Sequence, residues 1–204
     1  HTGKKGLEII NQYVNFLAKK IKCKKEEILV SSTGVIGELF KPSKIITQIK
    51  KLDKAEAKSL ISAAKAIMTT DTYIKTSIKQ IIIKNIKINV YGIAKGSGMI
   101  SPNMGTMLAY IFIECEVSKK LMFKLLKNNL DNTFNSITVD SDTSTSDTLM
   151  MFSIANKNIN LNKKNFKILN HKINELMHDL SLQVIKDGEG VSKLIRVNVL
   201  NARS

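Results

Sequence analysis

The sequence predicts an α/β (α+β) fold, a sandwich of mixed sheets and helices rather than a doubly wound sheet. Three observations lead there. Segments with apolar residues at three-four spacing alternate with short β-rich runs. Two of those runs, Ile78 to Ile83 and Ile86 to Tyr91, meet at Lys84-Asn85, the signature of a tight antiparallel hairpin. A chain of 204 residues with 43% hydrophobic content can bury a sizeable core, and no compositional break marks a linker.

Taken in order, residues 5–22 place Leu7, Ile10, Val14, Leu17 and Ile21 on one stripe, which predicts an amphipathic helix. Ile28-Leu29-Val30 reads as a short buried strand entering Ser31-Ser32-Thr33-Gly34. Asp53 and Glu56 have capping-box spacing and open a helix that runs to about Met68. The polar break Met68-Thr69-Thr70-Asp71-Thr72 separates it from the hairpin. A Gly-rich loop follows, then a strand from Thr106 to Val117. Ser118 is an N-cap for a helix bearing Met122, Leu125, Leu126 and Leu130. Ser136 to Val139 reads as a strand, Asp140 to Asp147 as an acidic, hydroxyl-rich loop, and Thr148 to Ile154 as a further apolar segment. A long helix from Lys163 to Ile185 carries Phe166, Leu169, Ile173, Leu176, Met177, Leu180 and Val184. The chain closes on Asp187-Gly188-Glu189-Gly190 and a strand from Leu194 to Leu200.

The net charge of +15 comes almost wholly from lysine, since Arg196 and Arg203 are the only arginines. The lysines are scattered and aromatic residues are few, with no Trp to stack on bases, so the pattern predicts a solvated surface and no nucleic-acid partner. No run approaches the ~18 to 20 apolar residues of a membrane span, so no membrane partner is expected. The first residues have no signal-peptide core. The absence of an initiator Met leads to the expectation that the chain starts mid-protein. Cys23 and Cys115 form no CxxC or Cys/His cluster and are expected to be buried free thiols in a reducing cytoplasm, with no metal site.

Several constellations can carry chemistry. In Ala94-Lys95-Gly96-Ser97-Gly98-Met99-Ile100-Ser101-Pro102-Asn103-Met104-Gly105-Thr106-Met107-Leu108, a small-residue peptide bond lies between a Gly/Ser/Pro/Asn loop and an apolar strand. Its plain reading is a turn feeding a core strand. Its chemical reading is that Thr106 attacks the Gly105 carbonyl, and that the α-amine so freed sits beside the Thr106 hydroxyl as an internal base. The segment lacks the P-loop spacing. Ser31-Ser32-Thr33-Gly34-Val35-Ile36-Gly37-Glu38 offers a hydroxyl and a closely approachable backbone N–H, or simply a turn. Lys95 is one more surface lysine or a carboxylate anchor. Asp140, Asp142 and Asp147 are hard oxygen donors for a weak cation, or parts of a hydroxyl-bonded structural loop, which is the favoured reading. His171 and His178 have no Ser or Cys partner in a recognisable arrangement, so no Ser-His-Asp triad is expected.

Taken together, these segments resemble the ornithine acetyltransferase family, also called glutamate N-acetyltransferase. The match covers essentially the whole chain and includes Lys95-Gly96-Ser97-Gly98-Met99-Ile100, Ser31 to Glu38, Met68 to Thr72, Phe134 to Asp147 and Asp187 to Gly190. The family carries Ala before its nucleophilic Thr where this chain has Gly105, also a small residue. The resemblance implies an N-terminal-nucleophile-like fold and a bifunctional, autoproteolytic acetyltransferase of arginine biosynthesis. In that scheme Thr106 is the nucleophile, and Thr33 and Gly34 form the oxyanion hole. Substrate contacts fall to Thr70 or Thr72, Lys95, Thr106 and Glu189. The implied substrates are N-acetylornithine and glutamate, with no cofactor and with acetyl-CoA as an optional donor. The implied assembly is a heterotetramer of two α and two β pieces, with residues 1–105 belonging to the first and 106–204 to the second, each truncated, in one continuous fold. The alternatives are a related aminopeptidase or amidohydrolase, and an uncleaved, non-catalytic binding fragment.

Overall fold

The computed structural model of the chain describes residues 2–52, 59–100, 107–154 and 156–201. The chain divides into two compact units, His1–Ser59 and Leu60–Ser204. The expected division at 105/106 concerns cleavage and falls within the second unit.

In the first unit, helix α1 spans Gly3–Ile21 and buries Tyr13, Val14 and Ala18. Lys22 closes it in the left-handed conformation (φ 56°), with Cys23 N donating to Ala18 O at 3.1 Å. A second helix, α2 (Pro42–Lys51), is absent from the sequence reading. Pro42 sets its first turn, and Ile45, Ile46 and Ile49 form the stripe that packs on Ile10, Tyr13, Val14 and Leu17. Residues 28–30 are no strand. A single 3₁₀ turn, Lys25–Glu27, precedes them, and Ile28 and Val30 join the two-helix core instead. Among the described residues of this unit no strand exists to pair with them, so burial against helices wins.

The second unit is built on one mixed sheet, in the α/β class that the sequence predicts. Its strands β1 (Lys75–Ile83), β2 (Ile86–Lys95), β3 (Leu108–Ile113) and β4 (Thr148–Ser153) lie in the order β1-β2-β3-β4. The first two pairs are antiparallel and the last is parallel. The hairpin forms as expected, with Lys84 and Asn85 both at positive φ (48° and 64°), the backbone a two-residue turn of this kind requires. The parallel β3–β4 pair needs a crossover, supplied by the chain that includes α4 (Lys119–Leu130), whose Ser118 cap accepts from Leu121 N. Helix α5 (Lys163–Lys186) starts on Asn162, whose side chain accepts from Asn165 N at 2.9 Å. It packs on β1 and β2 with Leu169, Ile173, Leu176, Met177, Leu180 and Val184 fully buried. A Cβ at Gly92 would lie 2.7 Å from side-chain carbons of both Leu176 and Leu180, so this glycine lets α5 seat on the sheet.

Other expectations are shortened or replaced. Regular pairing in β3 covers Leu108–Ile113 rather than the whole span to Val117. Residues 136–139 are no strand: Phe134–Ser136 is a 3₁₀ turn, and Val139 N makes one bond, to Ile100 O at 2.8 Å. Residues 194–200 run without ladder partners among the described residues, with Ile195, Val197 and Val199 about three-quarters exposed. The Asp53 capping box lies outside the described residues, and the described part of its helix is α3, Leu60–Ala66. Cys115 is buried as expected, whereas Cys23 is only half-buried.

Candidate active site

The register of the sheet brings four loops together. Lys75 lies opposite Ala94, Lys95 opposite Leu108, and Leu108 opposite Thr148. One end of the sheet therefore holds the start of β1, the end of β2 and the starts of β3 and β4. Segments 69–74, 96–100 and 140–147 converge there. The turn after α5 joins them, with Glu189 N donating to Ser97 O at 2.7 Å.

A buried charge cluster ties these loops. Lys75 Nζ donates to Asp71 Oδ1 at 2.6 Å and to Asp187 Oδ2 at 2.5 Å. Asp71 also accepts from Gly96 N (2.7 Å) and Thr69 N (3.0 Å). Burial pushes both carboxyls up, but the Lys75 bond and the backbone and Thr72 donors outweigh it, so both lie below the usual range. Asp187 accepts from both the N–H (2.9 Å) and the hydroxyl of Thr72. Thr72 is thus committed to holding the α5 turn. Thr70 differs. It is exposed, and its hydroxyl meets the Ser97 hydroxyl at 2.6 Å.

Lys95 ends β2 only 2% exposed, and its ammonium makes no hydrogen bond or ion pair with the described residues. Burial lowers its pKa and Lys75 adds to this, against the attraction of Asp71, Asp147 and Glu189. Glu189 is exposed, and its carboxyl group lies against the Gly98 backbone, where a Cβ would stand 3.0 Å from Glu189 Cδ. The acidic loop is held by hydrogen bonds. Asp140 accepts from Met99 N and, at 2.8 Å, from Ile100 N, while Thr138 Oγ1 donates to Ile100 O at 2.9 Å. Asp147 Oδ1 accepts from Met107 N at 2.9 Å, while its Oδ2 is buried without a partner among the described residues. Burial pushes this carboxyl up to about 6, against the Met107 N–H and Lys95.

Of the expected site residues, Thr70, Thr72, Lys95 and Glu189 share this sheet end. Thr33, half-buried, and Gly34, exposed, belong to the first unit and lie in an irregular stretch before the turn at 36–37. Gly105 and Thr106 lie outside the described residues. Sequence reasoning missed the Asp71–Lys75–Asp187 cluster, because nothing in the sequence reports that Asp187 meets Asp71 and Lys75 from 112 residues beyond Lys75. For Asp147 the sequence offers a weak cation donor or, as the favoured reading, a member of a hydroxyl-bonded structural loop, and neither reports its buried, unpartnered oxygen. Among the described residues, no cluster of three or more His, Cys, Asp or Glu side chains is arranged to hold a metal.

Comparison with known proteins adds the lineage. The ArgJ family model matches residues 1–204. The chain is 40% identical over 206 residues to the arginine biosynthesis bifunctional protein ArgJ of Bartonella henselae, covering 98% of this chain and 50% of that protein. It is 39% identical over 211 residues to the protein of the same name from Rhizobium meliloti, covering 100% of this chain and 51% of the relative. The crystal structure of the arginine biosynthesis bifunctional protein ArgJ from Bacillus halodurans is 37% identical, with a TM-score of 0.46 over 51% of this chain and 55% of that one. The chain spans about half the length of the curated relatives it matches.

Proposed function

Because the chain belongs to the ArgJ family, we propose that it forms part of a self-cleaving acetyltransferase of arginine biosynthesis that moves acetyl from N-acetylornithine to glutamate. The observation that supports this most directly is the meeting of Thr70, Lys95 and Glu189 at the sheet end from which β3 departs, two positions after residue 106 in the chain.

In this reading the Thr106 hydroxyl first attacks the Gly105 carbonyl, the 105–106 C–N bond breaks and frees the Thr106 α-amine, and hydrolysis of the resulting ester releases the Gly105 carboxylate and restores the Thr106 hydroxyl. A reference pKa of about 7.7–8.0 suits that amine as a base near neutral pH. In each turnover it takes the hydroxyl proton as Thr106 Oγ attacks the acetyl carbonyl of N-acetylornithine, and Thr33 and Gly34 donate to the oxyanion. The proton passes to the leaving amine of ornithine. Glutamate's neutral amine then attacks acetyl-Thr106, the C–Oγ bond breaks, and the hydroxyl is restored. Lys95 is the anchor for a substrate carboxylate. Its lack of an ion-pair partner among the described residues leaves its ammonium available, and burial strengthens what it binds. Glu189 receives the ammonium of ornithine, and Thr70, whose hydroxyl is not consumed by Asp187 as that of Thr72 is, contacts substrate. The two cleaved pieces assemble as a cytoplasmic heterotetramer of two α and two β chains. No helix among the described residues is long and apolar enough to cross a membrane.

Intact mass and N-terminal sequencing of the full protein test the proposal. Two pieces, one beginning Thr106-Met107-Leu108, are expected, together with acetyl transfer to glutamate. Thr106→Ala abolishes both. A single uncut chain, or acetylornithine hydrolysis that glutamate never intercepts, overturns it.

A further inference from the structure

Asp147 stands out among the ionisable groups of the sheet end. Asp71, Asp187 and Asp140 have their carboxylate oxygens engaged by named donors, whereas Asp147 has one oxygen satisfied and one buried and unpartnered among the described residues. A buried acceptor left unpaired costs about 1–3 kcal/mol, so such a group persists for a reason beyond packing. A loop cap would need only the satisfied oxygen, and Asn would serve equally well.

The donor that Asp147 holds is Met107 N–H, at 2.9 Å, the peptide group formed with the carbonyl of residue 106. Next along, Thr148 N donates to Met107 O at 2.9 Å, so Asp147 and Thr148 grip the same residue from both of its backbone faces. The charged neighbour of Asp147 is Lys95, which has no hydrogen-bonded counter-ion of its own among the described residues. Lys95 in turn feels Asp71, Lys75 and Glu189.

The geometry points to Asp147 as a positioning residue for the cut before residue 106: one carboxylate oxygen pins the Met107 N–H, and the carboxylate's charge balances Lys95 at the same sheet end. The inference rests on the self-cleaving reading proposed above. It requires the ionised form, because a charge-assisted N–H···O⁻ bond is roughly twice as strong as a neutral one and only a carboxylate can balance an ammonium. The carboxyl's rise to about 6 places the loss of that charge in an accessible pH range.

The test is the pH dependence of self-cleavage in freshly made full-length protein, followed by intact mass. Until the 105–106 C–N bond breaks residue 106 has no free α-amine, so that group adds no titration to the first, bond-breaking step. Wild type is expected to slow roughly tenfold per pH unit below about pH 6. Asp147→Asn keeps an acceptor for Met107 N–H but carries no charge. It is expected to cleave at least about tenfold more slowly at about pH 8 and to lose the acid limb, while Met107 keeps its amide-exchange protection. Asp147→Ala loses that protection as well. Asp147→Asn cleaving at the wild-type rate with the wild-type acid limb overturns the inference and leaves the enzyme reading standing. A wild-type rate flat from about pH 5 to about pH 7 does the same without any variant. A wild type that never cuts overturns both.

Discussion

Lys75 and Asp187, 112 residues apart in the chain, meet at 2.5 Å with their side chains 0% and 2% exposed. The contact joins the start of the edge strand β1 to the turn after α5, and through Asp71 it reaches Gly96 in the loop after β2. Removing one partner of such a buried pair leaves uncompensated charge, which typically costs about 3–5 kcal/mol. Lys75→Met, which leaves two carboxylates facing each other, is expected to reach that range in chemical denaturation. Lys79→Met breaks only the partly exposed bridge to Asp179 (3.0 Å) and is expected to cost no more than about 1 kcal/mol.

Acid should act on the fold with two opposite signs. Asp71 and Asp187 have folded pKa values below their ordinary 3.8, so the stability they contribute is present above 3.8 and is lost as pH falls through the lower folded values. Asp147 is raised to about 6, so its contribution is full below 3.8 and is lost as pH rises through about 6. Asp147→Asn is therefore expected to have a higher denaturation midpoint than wild type at about pH 8, with the gain shrinking by about pH 4. Combined with slower cleavage, this would be a stability gain obtained at the expense of function.

Gly92 tests how tightly α5 seats. Gly92→Ala places a methyl group 2.7 Å from carbons of both Leu176 and Leu180. Both leucines are fully buried and cannot swing away, so overpacking of about 1–3 kcal/mol is expected, read as a lowered thermal midpoint.

Gly98 tests the proposed substrate contact of Glu189. A Cβ there would stand 3.0–3.2 Å from the Glu189 carboxyl atoms, and Glu189 is exposed and able to shift. On the proposed acetyl-transfer reading, Gly98→Ala is expected to leave stability nearly unchanged and to raise the full protein's KM for N-acetylornithine about threefold to tenfold, with a smaller effect on kcat. An unchanged KM would remove Glu189 from the substrate contacts.

Thr70 and Thr72 separate by their partners. Thr72→Ala removes a hydroxyl bonded to Asp187 and is expected to lower stability by about 1–2 kcal/mol. Thr70→Ala removes an exposed hydroxyl paired only with Ser97 among the described residues. It is expected to be nearly neutral in denaturation and to act on KM.

Local chemistry was readable along the chain. The periodicity of α1 and α5, the Ser118 cap and the Lys84-Asn85 hairpin each rest on residues within a few positions of one another, and each formed. The motif Lys95-Gly96-Ser97-Gly98 and the Asp187 to Gly190 turn were likewise visible, and with them the family and the mixed α/β class. Tertiary structure decided the rest. Residues 28–30, 136–139 and 194–200 have strand-like composition, but a strand exists only where a partner's backbone completes its ladder, and composition carries no information about partners. The same holds for charge. One lysine among many became a buried, doubly paired cation, another a buried cation without a hydrogen-bonded counter-ion among the described residues, and one aspartate of an acidic loop kept an unpaired buried oxygen. Burial and pairing are set by which loops the sheet register brings to one end, and that is a property of the assembled chain.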